Sequence, residues 1–137
     1  MVLFLCTHNS ARSQMAEGLL RHLSEGSVEV HSAGTVATHV RQEAIRVMEE
    51  IGIDISRQVS KVLDAFVKDR FDYVITVCDS ANESCPIFPN VRNRWHWSIK
   101  DPSSVKGSVA ERLEAFRTAR EALKQRIKSE LLPDLAI

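Results

Sequence analysis

Residues 2–20 read VLFLCTHNSARSQMAEGLL. Val2 to Cys6 is an unbroken apolar run, partly β-branched and aromatic, with the length and composition of a strand buried on both faces. From Arg12 the pattern changes. Met15, Ala16, Leu19, Leu20 and Leu23 recur at helical spacing, which predicts a helix over Arg12 to Leu23. A doubly buried strand that feeds an amphipathic helix through one short loop commits the chain to layers of helix against sheet.

The rest of the chain continues the alternation. Ser27 to Ser32 alternates as a strand does, and Ala33-Gly34 is expected to break it. Val40 to Ile51 predicts a helix stopped at Gly52. Ser60 to Val67 predicts a shorter helix with Ser60 as its cap. Phe71 to Cys78 (FDYVITVC) is the strongest strand signal, and Arg94 to Trp97 or Ser98 predicts a short strand. Ser108 to Leu131 carries one long amphipathic pattern, and the tail beyond Pro133 is expected to fray. Strands separated by helices predict an α/β fold with a parallel sheet and right-handed crossovers, helices lying on both faces. Cys6 and Cys78 then end the two strongest strands on the edge of the sheet where such folds bind ligands.

The chain has 137 residues, enough for one self-sufficient core. Eighteen basic residues balance eighteen acidic ones, so no global field favours nucleic acid or an anionic membrane. No apolar run approaches a membrane span, and MVLFLC is too short for a signal peptide. A cytoplasmic monomer is expected. Three cysteines, Cys6, Cys78 and Cys85, make a poor disulfide framework and leave thiol chemistry, metal binding or core filling. The five histidines show no ligand-like spacing to the thiols, so no metal and no cofactor is expected.

The loop after Cys6 suits a tetrahedral anion. Backbone N–H groups of Thr7, His8, Asn9, Ser10 and Ala11 can turn inward as a nest. The following helix adds the positive end of its dipole, and Arg12 offers a planar fork for two oxygens. The same features favour thiolate at Cys6, with thiols in such settings at roughly 3.5–7.5 against about 8.5 when free. Cys6 is then a nucleophile aimed at a bound oxyanion, and Ser13 is placed to hydrogen-bond and orient the sulfur.

Cys78 and Cys85 bracket CDSANESC, too wide for a close zinc pair. Two unrelated core cysteines are the plain alternative, although ANES is polar and small for a core. In a helix their Cα atoms would lie about 10 Å apart, whereas a disulfide needs about 4.4–6.8 Å. A bond between them would force the segment to unwind or loop out, the behaviour of a redox switch rather than a structural staple. Asp101-Pro102 is an ordinary turn sequence that also offers a carboxyl group near the loop. Asp79 and Asp72 are weaker acid candidates.

CTHNSARS fits C-x5-R-S, and here the chain resembles the low-molecular-weight protein tyrosine phosphatase fold. The extension CTHNSARSQMAEG is similar to the arsenate reductases of that fold. Further matches follow in order: SAG at Ser32 to Gly34, GIDIS at Gly52 to Ser56, Cys85-Pro86, His96-Trp97 and Asp101-Pro102. The resemblance implies one three-layer domain over residues 1–137, a four-stranded parallel sheet flanked by helices. It implies a detoxifying arsenate-to-arsenite reduction. Cys6 forms an adduct with arsenic, Arg12 and the loop hold the oxygens, and Asp101 acts as general acid. Cys78 then attacks Cys6, Cys85 attacks Cys78, and thioredoxin reduces the Cys78–Cys85 disulfide; glutaredoxin or a small thiol are alternative reductants.

The chain departs from the pattern in places. His8 stands where the family often has a glycine with φ > 0, and histidine is expected to tolerate that conformation. Ala11 replaces a cysteine of many phosphatases of the fold. Asn9, Glu17 and Ser32 match a monovalent-cation site of some of these reductases. Lys61 stands where its acidic ligand is expected, so its ammonium is an alternative occupant; a solvated Lys61 is the plain reading. Two other functions fit parts of the same pattern. A tyrosine phosphatase would present aromatic walls beside its acid loop, where this chain has Ser103-Ser104. A non-catalytic oxyanion-binding module would have no use for three thiols.

Overall fold

The computed structural model describes residues 1–79 and 91–136. Four strands, β1 (Val2–Cys6), β2 (Val30–Gly34), β3 (Tyr73–Thr76) and β4 (Asn93–His96), form a parallel sheet in the order β2-β1-β3-β4. Helices α1 (Arg12–Leu23), α2 (Gln42–Glu49) and α3 (Val109–Arg126) flank it. In register, Cys6 lies opposite Gly34 on one side, while Leu5 lies opposite Thr76 on the other. The chain order reverses at β1, whose carboxyl end is therefore the crevice where open α/β sheets bind ligands.

Burial explains the strand assignments. All five residues of β1 are buried, as its unbroken apolar run requires. β4 alternates between half-buried and exposed positions, as an edge strand does. Phe4, Leu19, Leu20, Met48, Ile75, Phe116 and Leu123 fill the core between sheet and helices. α3 opens with a full capping box, Ser108 accepting from the Glu111 N–H while Glu111 accepts from the Ser108 N–H.

Several expectations need correction. β2 begins at Val30 and runs through Ala33 and Gly34 instead of breaking there. A Cβ on Gly34 would meet backbone atoms of Asn9 and Thr7, each at 2.7 Å. Glycine is required because the loop after Cys6 presses on the strand, not because the strand turns. The Ser60 to Val67 helix shrinks to one 3-10 turn at Leu63–Phe66. Ser60 does not cap it; its hydroxyl donates to the His8 carbonyl and accepts from the Thr38 N–H. Strands β3 and β4 end before Cys78 and Trp97. The terminal helix passes into a π-helical turn at Ile127–Leu131. Beyond Pro133 the tail is tied down, because the Tyr73 hydroxyl donates to the Asp134 carboxylate.

Candidate active site

The loop from Thr7 to Ala11 is held by its carbonyls. Thr7 O accepts from Val36 N at 3.0 Å and Thr35 Oγ1 at 3.1 Å. His8 O accepts from Ser60 Oγ at 3.0 Å, Asn9 O from Gln14 Nε2 at 3.0 Å, and Ser10 O from Arg41 N at 2.9 Å. Peptide planarity sends the N–H of each following residue the opposite way. Carbonyls engaged outside the loop thus aim the N–H groups of His8 to Ala11 toward its interior. α1 begins at Arg12 without a side-chain cap and with no acid in its first turn, leaving its first N–H groups and dipole to an anion.

Asn9 is the hub beneath the loop. It is fully buried, with φ at 49°. The left-handed residue of the loop is therefore Asn9 and not His8, the position where the sequence had suggested it; asparagine is the better suited of the two neighbours. Asn9 Nδ2 donates to Ser13 Oγ at 2.8 Å and Ser32 Oγ at 3.0 Å, and Oδ1 accepts from Lys61 N and Gln14 Nε2, both at 2.8 Å. The Ser13 hydroxyl oxygen accepts from Asn9, which leaves its own proton free to be donated elsewhere. Ser32 Oγ donates to Glu17 Oε1 at 2.5 Å, Arg21 bonds Glu17 Oε2 at 2.8 Å, and Lys61 Nζ lies 3.9 Å from Glu17 Oε1. Asn9, Glu17, Ser32 and Lys61, matched from scattered positions, converge. Gln14, invisible to the sequence reading, is fully buried among them. Its neighbours on the same helix face, Glu17, Gly18 and Arg21, give no apolar stripe that would mark it as buried.

Cys6, 4% exposed, ends β1 at the centre of this loop. Cys78, 3% exposed, lies close enough to act on its ionisation and is 3.3 Å from Thr7 Oγ1. The Cys78 hydrogen bond and burial push the Cys6 thiol up, against the downward pull of Arg12 and the Thr7 N–H. This corrects the expectation of a simply depressed Cys6 thiol. Repulsion from Cys78 is among the upward causes, and it acts only when Cys78 is ionised. The pair therefore loses its protons in two steps, the second strongly disfavoured. Cys85 lies outside the described residues.

Arg12 donates from Nη1 to the Ile99 carbonyl at 2.8 Å, and its Nη2 lies 3.8 Å from Asp101 Oδ2. Its Nε is buried without a partner among the described residues, a donor an oxyanion would satisfy. Asp101 Oδ1 accepts from the Ser103 N–H at 2.9 Å and its hydroxyl at 2.7 Å. Burial pushes the Asp101 carboxyl up, but Ser103, Arg12 and Arg41 together hold it below the usual carboxylate range. Thr7, His8, Arg12, Cys78, Asp79, Ser98, Ile99, Lys100 and Asp101 line one open cavity of about 400 Å³. The arrangement brings a nucleophilic thiol, a second thiol, an anion cradle and a carboxyl group to one crevice.

Known proteins share both sequence and arrangement. Arsenate reductase of Shouchella clausii (strain KSM-K16) is 40% identical over 128 residues, covering 93% of this chain and 92% of that one. A solved arsenate reductase in the phosphate-binding state is 38% identical, with a TM-score of 0.80 and coverage of 93% and 92%. A thioredoxin-dependent arsenate reductase of Corynebacterium glutamicum is 32% identical with a TM-score of 0.65; 93% of this chain matches 61% of its length. The family model for low molecular weight phosphotyrosine protein phosphatase matches residues 1–135. The loop described above, the sheet that carries it and nearly every residue between fall inside that match, so the chain belongs to the low molecular weight phosphotyrosine protein phosphatase family.

Proposed function

We propose that this chain is an arsenate reductase that converts arsenate to arsenite with thiols as the electron source. The observation that carries the reading is the second thiol, Cys78, buried beside the nucleophile and lining the same crevice as Arg12. Phosphate ester hydrolysis has no use for it, whereas reduction of arsenic from five- to three-valent needs two electrons and two sulfurs to give them.

The steps balance. Cys6 thiolate attacks arsenic, an S–As bond forms and one oxygen leaves as water. Arg12, including its unpartnered Nε, and the N–H groups of Thr7, His8, Asn9, Ser10 and Ala11 hold the remaining oxygens. Asp101 is an ionised carboxylate at rest. The negative charge of the incoming substrate raises its proton affinity, so Asp101 takes up a proton as substrate binds and delivers it to the leaving oxygen. Cys78 thiolate then attacks Cys6 Sγ. The S–S bond forms, the S–As bond breaks, and its electron pair stays on arsenic, which departs as arsenite. Cys85 thiolate attacks Cys78 Sγ and returns Cys6 as thiolate. An external dithiol, thioredoxin in this reading, reduces the Cys78–Cys85 disulfide. A reducing cytoplasm is the compartment where that reductant works. Ser13, oriented by Asn9, keeps its own proton for the Cys6 thiolate.

Beneath the loop, Lys61 takes the place of a monovalent cation beside Asn9, Glu17 and Ser32. Addition of potassium then leaves melting temperature and turnover unchanged; a clear rise in either removes Lys61 from that role. The reading as a whole is tested by arsenate turnover with a thioredoxin system. Cys85→Ser should complete one cycle and stall with a Cys6–Cys78 disulfide. Sustained turnover in that variant would sink the relay. Hydrolysis of a small aryl phosphate without any arsenate reduction would favour the tyrosine phosphatase alternative.

A further inference from the structure

Cys78 is buried while its neighbour Asp79 is 72% exposed. Asp79 is thus the joint between a thiol inside the site and the segment that follows it. Its carboxylate does not float free. Asp79 Oδ1 lies 2.8 Å from His96 Nε2, and Ser98, which lines the same crevice, helps to pull the carboxyl down. His96, at the end of β4 and 28% exposed, is itself fixed from the other side by Thr76 Oγ1, 2.7 Å from Nδ1. Thr76 ends β3, two residues before Cys78. One imidazole therefore ties the residue after Cys78 to both neighbouring strand ends. These contacts hold Asp79 below the ordinary carboxylate range.

We infer that the Asp79–His96 pair is a latch that holds Cys78 against Cys6 in the reduced protein and parts when Cys78 joins Cys85. The inference rests on the thiol relay proposed above. A Cys78–Cys85 disulfide must present a sulfur to an external dithiol in line with the bond it breaks. Cys78, 3% exposed, has to leave its place for that, and Asp79, one peptide away, moves with it. Every contact Asp79 makes with His96 and Ser98 therefore favours the dithiol over the disulfide. Asp79 and His96 act as positioning residues; neither touches the reacting arsenic.

The readout is the equilibrium between the Cys78–Cys85 dithiol and disulfide in the whole protein, poised with reduced and oxidised dithiothreitol and no arsenate. Oxidised dithiothreitol accepts the two electrons and two protons that the cysteines give up. Asp79→Asn and His96→Gln should each shift the equilibrium toward disulfide by about two- to five-fold, the range of an exposed ion pair. The double variant should shift no further than either single one, since both remove the same contact. An unchanged equilibrium, a shift toward dithiol, or single effects that simply add would overturn the latch. Arsenate turnover by the unsubstituted protein reports separately on the relay. Turnover with no shift sinks the latch alone, and a shift without turnover sinks the reductase reading while the latch stands.

Discussion

Asn9, beneath the Cys6 loop, and Asp101, beside it, are both polar groups at the same crevice, yet they are held in opposite ways. Asn9 is fully buried and its polar side-chain atoms are engaged by Ser13, Gln14, Ser32 and Lys61, from three separate parts of the chain. Asp101 is 42% exposed, and its short bonds come from Ser103, two residues on; Arg12 reaches it only at 3.8 Å. The floor is over-determined and pre-organised for an anion. The wall is set by local bonds and nearby charge, so it can change protonation when charge arrives. A site that binds one anion and then moves protons and sulfurs needs both kinds of support.

Asn9→Ala should give the largest effect. It strands four hydrogen-bonding partners and puts a left-handed backbone on a residue that resists it. A stability loss of about 2–4 kcal/mol in urea unfolding is expected, with a fall in kcat/KM for arsenate of two orders of magnitude or more. A small loss would show that the floor is not over-determined. Asp101→Asn should divide the two regions cleanly. Turnover falls by about 10²–10⁴-fold, while the unfolding midpoint at neutral pH moves little. A variant that loses stability as Asn9→Ala does would erase the distinction.

The same contrast decides what the sequence disclosed. β1, α1 and the Cys6-to-Arg12 loop were legible because burial on both faces and helical spacing leave a period in the chain. Cys78 at a strand end and Asp101 before Pro102 were legible as positions, but their surroundings were not. Nothing local in HSAG distinguishes a strand break at Gly34 from a strand against which a loop presses at 2.7 Å. Nor does NVRNRWHW announce that His96 joins Asp79 to Thr76. Such contacts span between 17 and 27 residues of sequence and leave no period. A missing glycine in the pattern points to His8 as the left-handed residue, whereas the positive φ falls one place on, at Asn9, whose own side-chain bonds can support it.

Cys78 belongs to the responsive side of the site, and its removal should simplify the ionisation of the floor. In the wild type two thiols lose protons in two separated steps. Cys78→Ala removes both the hydrogen bond and the repulsion that push Cys6 up, leaving burial against Arg12 and the Thr7 N–H. Thiolate absorbance against pH should show a single Cys6 step between the two wild-type steps, after allowance for Cys85. Two steps persisting unchanged would mean that the thiols are not coupled.

Ser103→Ala should give the smallest effect and the most specific one. The Ser103 hydroxyl helps hold the Asp101 carboxyl below its ordinary value. A carboxyl depressed in the folded state contributes stability that is present above its unfolded value, about 3.9, and is lost as pH falls through the folded value. The alanine variant should therefore be less stable at pH 7 by about 0.5 kcal/mol, a charged hydrogen bond discounted for solvent screening at a partly exposed site. The difference should shrink toward zero as pH drops below the folded value, where both proteins carry a neutral Asp101. Urea midpoints of the two proteins, compared from pH 7 downward, read this directly. A difference that stays constant or grows on acidification would mean that Ser103 acts through packing of the loop and not through the carboxylate, and the wall would then be as rigidly built as the floor.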